Sequence, residues 1–153
     1  MRWSDLENEP CPVARGLSVV GDRWTLLVLR DCFRGLRRFD DIHASLKITR
    51  HVLADRLKRL ESTGVLERQQ YSTAPPRFEY RLTEKGRALY PVMVSLIQWA
   101  ETYQPHDGTP PYRFHDRETN ALLDPVLVDR GSQVPIDSRH VRAARAQGAD
   151  KPL

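Results

Sequence analysis

The residues of this chain best suited to chemistry lie in one short stretch, ITRHVLADRLKRLESTGVLERQ, residues 48–69. Thr49, Arg50, His51, Lys58 and Arg59 fill it with donors and cations, and Asp55 adds an acceptor. At about 100° per residue, His51, Asp55, Lys58 and Ser62 point away from a stripe of Leu53, Leu57 and Leu60. Arg50 and Ala54 lie at the edge of that outer face. These side chains suit recognition, not bond making. Arg50 can donate two hydrogen bonds to guanine, Asp55 can accept one from cytosine, and the Ala54 methyl can meet thymine. A solvated basic helix is the plainer reading of any charged stripe, so the neighbouring elements have to decide.

Directly after it, VLERQQY and RFEYRL alternate as two strands around STAPPR, a loop of turn formers. Arg77 stands by the tip of this hairpin, with Arg68 and Arg81 on its strands. Such arginines can hold phosphate, or enter a minor groove beside a helix seated in the major groove. Pro75 and Pro76 lower the entropy lost when the tip is ordered on a partner. A hairpin merely solubilised by its arginines is the alternative, and it suits Arg81 better than Arg77.

Positioning these residues takes a series of helices. The spacing predicts a first helix over Pro12–Val20, with proline in its first turn. A second carries Trp24, Leu27, Val28 and Cys32 inward and stops at Gly35. RRFDDIHASL places Phe39, Ile42 and Leu46 on one side of a third. The turn LKIT then sets the fourth helix across the third, Thr49 caps it, and Gly64 ends it in the left-handed conformation. Beyond the hairpin, Thr83 caps a long last helix, EKGRALYPVMVSLIQWAETY, with a kink expected at Pro91. Its Leu89, Val92, Met93, Leu96, Ile97 and Trp99 exceed what one small core requires.

QPHDGTPP marks a boundary. The expected organisation is a flexible segment over residues 1–10, a winged helix domain over 11–104, a small β appendage over 105–141 and a disordered tail over 142–153. A turn at residues 130–133 centres the appendage. The fold class is mainly α with a β-hairpin wing (α+β), in the element order of a winged helix-turn-helix.

With 153 residues and a net charge of +4, the chain can bury a real core and permits an anionic partner without demanding one. No run reaches the ~18 apolar residues that cross a membrane, and the acidic start does not read as a secretory signal. Two cysteines are too few for a disulfide framework, so a cytoplasmic protein with reduced thiols is expected. Enzyme chemistry finds no support: there is no phosphate-cradling glycine loop, metal-ligand pair or nucleophile with its base. Asp40 and Asp41 suit capping or solvation of a helix surface. No cofactor is expected.

Taken together, CPVARGLSVVGDRWTLLVLRD, RRFDDI, ITRHVLADRLKRLESTGVLER and PPRFEYRLTEKGRAL resemble the HxlR-type branch of the MarR-like winged-helix regulators. The likeness runs from about Cys11 to Tyr103. It implies a homodimeric transcriptional regulator, with repression the expected sense, that binds a palindromic operator in double-stranded DNA. It carries over Thr49 to Lys58 as the recognition helix and Tyr71 to Arg77, including Ser72 and Thr73, as the wing. It also implies dimerisation through the first and last helices. Trp24, Tyr90, Trp99 and Tyr103 would there line an apolar site for a small-molecule effector, or simply form the dimer's core.

Cys11 precedes Pro12 at a helix start, where the helix dipole favours a thiolate. Some members of the branch sense oxidants at this place, which makes Cys11 a candidate redox sensor. An inert thiol packed at a dimer interface is the alternative. In some relatives the appendage resembles a cysteine-rich zinc ribbon. Here Asp129 and Ser132 stand at those places, and no cysteine follows Tyr112. His106, His115 and His140, with Asp107 and Asp116, have no spacing that suggests a metal site. The appendage therefore reads as a metal-free remnant. The rival to a DNA-binding regulator is a winged helix that only binds proteins, and salt-dependent binding to duplex DNA separates the two.

Overall fold

Among the residues described by the computed structural model, 3–108, 113–142 and 144, the first element is a 3-10 helix, Trp3–Asn8. This segment was expected to be loose. It is followed at once by a tie to the next helix, whose Arg15 donates from Nη1 to the carbonyls of Glu9 at 2.8 Å and Pro10 at 2.6 Å. Helix α1 is Pro12–Val20, and α2, Arg23–Phe33, begins where the Asp22 carboxylate accepts from the Trp24 N–H. Helix α3 is Phe39–Leu46. Helix α4 is Arg50–Ser62, capped by the Thr49 hydroxyl, which accepts from Val52 N–H at 3.3 Å. Between α3 and α4 the backbone turns through Lys47, which takes the left-handed conformation at φ 53°, while Ile48 plugs the corner from inside.

The leucines of α4 set its depth. Leu53, Leu57 and Leu60 are fully buried against Val28, Leu29, Cys32 and Ile42, and Val65 and Leu66 close the cluster. Phe39, Leu46, Trp24 and Leu26 cover its edges. Burying a leucine side chain stabilises by roughly 1.5–3 kcal/mol, so this stripe fixes which side of α4 is left for other work. Past Thr63 the chain leaves the helix through Gly64 at φ 71°, and the Val65 N–H returns to the Leu60 carbonyl at 2.9 Å.

Strands β1, Leu66–Thr73, and β2, Pro76–Leu82, pair antiparallel. They run further toward the tip than the sequence suggested, leaving Ala74 and Pro75 for the reversal. The register slips at Tyr71, between Gln70↔Phe78 and Ser72↔Arg77. Arg37 and Arg38 add to the other edge of β2: the Tyr80 N–H donates to Arg37 O at 2.8 Å, and Arg38 bridges Glu79. The wing is thereby sewn to the start of α3.

The long last helix divides into α5, Glu84–Arg87, and α6, Tyr90–Tyr103. Thr83 caps α5 as expected, accepting from Gly86 N–H at 3.1 Å. Pro91 has no N–H to continue the ladder and its ring crowds the preceding turn, so it takes the second position of a new helix, where both facts are harmless.

Two compact units divide within α6, between Ser95 and Leu96. In the second, β3, Phe114–His115, pairs with β4, Leu122–Leu123, and Val128 bridges Pro135. Two turns of the same make cap these ladders. In one, Asp116 accepts from the N–H and hydroxyl of Thr119, both at 2.8 Å. In the other, Asp129 accepts from the N–H of Ser132 at 2.7 Å and its hydroxyl at 2.8 Å. Asn120 and Gln133 leave these turns at φ 56° and 58°. The tail, apart from residues 142 and 144, lies outside the described residues. The architecture is mainly α, with a hairpin wing and a small β appendage.

Candidate nucleic-acid interface

With the leucine stripe buried, α4 leaves Arg50, His51, Ala54, Asp55 and Lys58 exposed on one side, with Thr49 exposed at its cap. These are the residues read from the sequence as the outward face. Arg50 is the first helical residue. Its Nη1 donates to the Asp40 carboxylate at 3.0 Å, and its guanidinium carbon lies 4.7 Å above the Phe39 ring. Asp55 lies 3.5 Å from Nη2 of Arg56, whose own Nε faces Asp22 at 3.3 Å.

Arg59 is placed differently. It is half-buried, and its Nη2 donates to the Ser18 carbonyl near the end of α1. The cation thus ties α4 to α1 and satisfies an end carbonyl. Only the structure reveals this: on a helical wheel Arg59 looks like a continuation of Lys58.

On the wing, Arg77 is exposed, and among the described residues its guanidinium makes no hydrogen bond or ion pair. Thr73 is exposed, while Ser72 is half-buried and donates to Pro75 O at 3.0 Å, bracing the tip. Arg81 is committed to Glu79 at 2.6 Å. Arg68 lies over Phe78 at 4.3 Å and within 4.0 Å of Glu61. Arg38, which the sequence did not single out, lies over Tyr71 at 4.8 Å. A groove of about 470 Å³ runs between the wing and α3, lined by Arg38, Asp41, Tyr71, Arg77 and Phe78 among others. Arg38 and Arg77 thus line this groove as cations that form no ion pair with a carboxylate among the described residues. The arrangement offers donors for bases on α4 and donors for phosphate beside it.

A helix pair with an outward basic face and a wing is a common architecture, and comparison with known proteins narrows it. Residues 19–108 match the model of the HxlR-like helix-turn-helix family. The chain belongs to that family. It is 41% identical over 143 residues to the uncharacterized HTH-type transcriptional regulator Rv3095 of Mycobacterium tuberculosis, covering 92% of this chain and 90% of the relative. It is 37% identical over 103 residues to the regulator YdeP of Bacillus subtilis, covering 67% and 80%. The crystal structure of PA1607, assigned as a transcription factor, superposes with a TM-score of 0.83 at 36% identity, covering 94% of this chain and 99% of that one. The redox regulator HypR in its reduced form gives 0.58 at 33% identity, over 61% and 94%. This HxlR-like protein is therefore an HTH-type, DNA-binding transcription regulator.

The remaining candidates lie elsewhere. Cys11 is half-exposed immediately before α1, and Cys32 is buried. Burial, and then the charge of Asp31, push the Cys32 thiol up to about 12. Tyr90 packs its ring on Phe33 at 5.0 Å, and Trp24, half-buried, carries Arg23 over its ring at 5.0 Å. Trp99 and Tyr103 pair at 6.0 Å and are both exposed. No helix among the described residues is long and apolar enough to cross a membrane.

Proposed function

We propose that the protein is a repressor that binds a palindromic operator in double-stranded DNA as a homodimer. The observation that carries this reading is the exposed face of α4, held at fixed depth by Leu53, Leu57 and Leu60, beside a wing that presents Arg77. Arg50, His51, Ala54, Asp55 and Lys58 read base edges in the major groove, and Thr49 caps that helix. Ser72, Thr73 and Arg77 hold the backbone alongside. Supporting the homodimer, α1 and α6 expose apolar residues, Val13 and Leu17 on the first and Val92, Leu96, Trp99 and Tyr103 on the last.

The response to an effector, a small ligand or an oxidant of Cys11, belongs to the same proposal. It would act by changing how the dimer packs, and so the spacing of its two recognition helices. That HypR is named a redox regulator supports the second form. The protein would act in the cytoplasm, where its DNA lies.

The test is a titration of labelled duplexes selected by the protein from a random pool, repeated across salt concentrations. Binding should fall steeply with salt, and the selected sequence should be an inverted repeat with half-sites one or more turns apart, each about 10 bp. Affinity that ignores both salt and sequence would overturn the reading.

A further inference from the structure

Asp40 is an acid on the surface that faces the proposed DNA, and acids there repel phosphate. Its side chain is 80% exposed, and so is most of Arg50, at 65%. An acid in the first turn of α3 does favour the helix dipole, but Asp41, in the same turn, meets that need too. The two acids differ in one respect. Asp40 accepts from Nη1 of Arg50 at 3.0 Å, whereas Asp41 makes no hydrogen bond or ion pair among the described residues. Arg50 is held on a second side as well, with its guanidinium carbon 4.7 Å from the centre of the Phe39 ring. Phe39 cannot easily yield, because it is packed against the core cluster and stacked on His43 with 13° between the planes.

We infer that Asp40 and Phe39 are positioning residues for Arg50, and that they set its base preference. The inference rests on the reading of α4 as the recognition helix. A free arginine loses several rotamers when it engages a base; one already clamped loses fewer. Arginine has five N–H donors, so the bond to Asp40 leaves enough for two parallel bonds to guanine O6 and N7. The clamp also limits alternatives, since a guanidinium held by Asp40 and against Phe39 is less free to swing to a nearby phosphate. Specificity then comes from the carboxylate, although the carboxylate itself never touches DNA.

This assigns Asp40 an effect of two signs. Removing an acid from a DNA-facing surface strengthens binding to any sequence. Removing a clamp on a base-reading arginine weakens binding to the preferred sequence. The experiment selects a preferred duplex with the full-length protein from a random pool. It then titrates wild type, Asp40→Asn, Asp41→Asn, Arg50→Ala and Asp40→Asn/Arg50→Ala on that duplex and on a scrambled one. Asp40→Asn is expected to bind the scrambled duplex more tightly, as Asp41→Asn does. Its ratio of preferred to scrambled affinity should fall roughly threefold to tenfold, at the same base positions that Arg50→Ala relaxes. In the Arg50→Ala background, Asp40→Asn should leave that ratio unchanged. Equal behaviour of Asp40→Asn and Asp41→Asn would overturn the inference while leaving the DNA reading intact. So would an Arg50→Ala variant that keeps full base preference. A wild type that selects no sequence and shows no salt dependence would remove the DNA reading itself.

Discussion

The guanidinium of Arg38 lies 4.8 Å above the ring of Tyr71, joining the start of α3 to the bulged position of β1. A bulge re-aims a side chain that regular pairing would direct elsewhere, and here it supplies a platform for an arginine plane. With no hydrogen bond or ion pair to its guanidinium among the described residues, Arg38 can meet phosphate beside Arg77. Arg38→Ala should therefore weaken binding to all duplexes about evenly and flatten the salt slope by about 1. Arg38→Lys keeps the charge but loses the plane, so it should restore only part of the affinity. Anisotropy titrations at several salt concentrations check this; a loss confined to one sequence would contradict it.

Gly86 is where α5 crosses the end of β1. A Cβ there would drive into the Val65 carbonyl and approach Leu82 Cδ2 at 3.0 Å. That carbonyl is held in place by the Thr83 N–H at 3.1 Å, while the Thr83 hydroxyl donates to the adjoining Gly64 carbonyl at 2.6 Å. Gly86→Ala should destabilise the first unit by about 1–3 kcal/mol, the usual cost of overpacking. Urea unfolding should show a lower midpoint with an unchanged m-value.

How much could be read beforehand depended on whether a feature is local. Helix α4 was legible because Leu53, Leu57 and Leu60 repeat at helical spacing between a Thr49 cap and a Gly64 stop, all within one stretch. The interruption at Pro91 was legible for the same reason, since proline acts on its own turn, although it breaks the helix rather than bending it. Arg38 and Arg59 were not legible. Their roles depend on Tyr71 and Ser18, brought close by tertiary packing, and no spacing in the sequence encodes that. The turn after Asp129 was read from residues 130–133, but its twin at Asp116 escaped because the ladder it caps is only two residues long, too short to show alternation.

The thiols should separate cleanly. Cys32 is 8% exposed and its thiol is pushed up to about 12, so at neutral pH it is a protonated, covered group. Cys11 is half-exposed. Iodoacetamide at pH 8 should modify Cys11 in the native protein and reach Cys32 only after unfolding, as read by mass spectrometry of digested peptides. Native modification of Cys32 at a comparable rate would show that the core opens readily.

The twin turns predict an acid-sensitive appendage. The N–H of Thr119, then its hydroxyl, hold Asp116 below its ordinary 3.8, and the N–H and hydroxyl of Ser132 do the same for Asp129. A lowered folded-state pKa means stabilisation that is fully present above the unfolded value and fades as pH falls through the folded one. The turns should therefore keep their protected Thr119 and Ser132 amides at pH 5 and lose protection below about 3.8. Asp116→Asn and Asp129→Asn should abolish that step in hydrogen-exchange measurements. An unchanged step in both variants would place its origin elsewhere.

Helix α6 carries the prediction on assembly. Val92, Leu96, Trp99 and Tyr103 recur at four, three and four residues, the spacing of one helical face. All are open to solvent, at 50%, 43%, 55% and 67%, while Met93 turns inward at 7%. Such a stripe on a surface helix favours a partner helix, and a symmetric dimer gives each stripe its own copy. A glutamate at its centre would have to enter that interface as an unpaired charge, which costs several kcal/mol. Wild type should therefore sediment as a dimer at micromolar concentration, and Leu96→Glu and Trp99→Glu as monomers. Because the monomer loses the effective concentration that joins two half-sites, binding to an inverted repeat should fall far more than binding to a single half-site. The exposed face of α4 is untouched, so the base preference at the half-site should be the same as in wild type. Variants that still sediment with wild type, on or off DNA, would show that α6 is not the dimer contact.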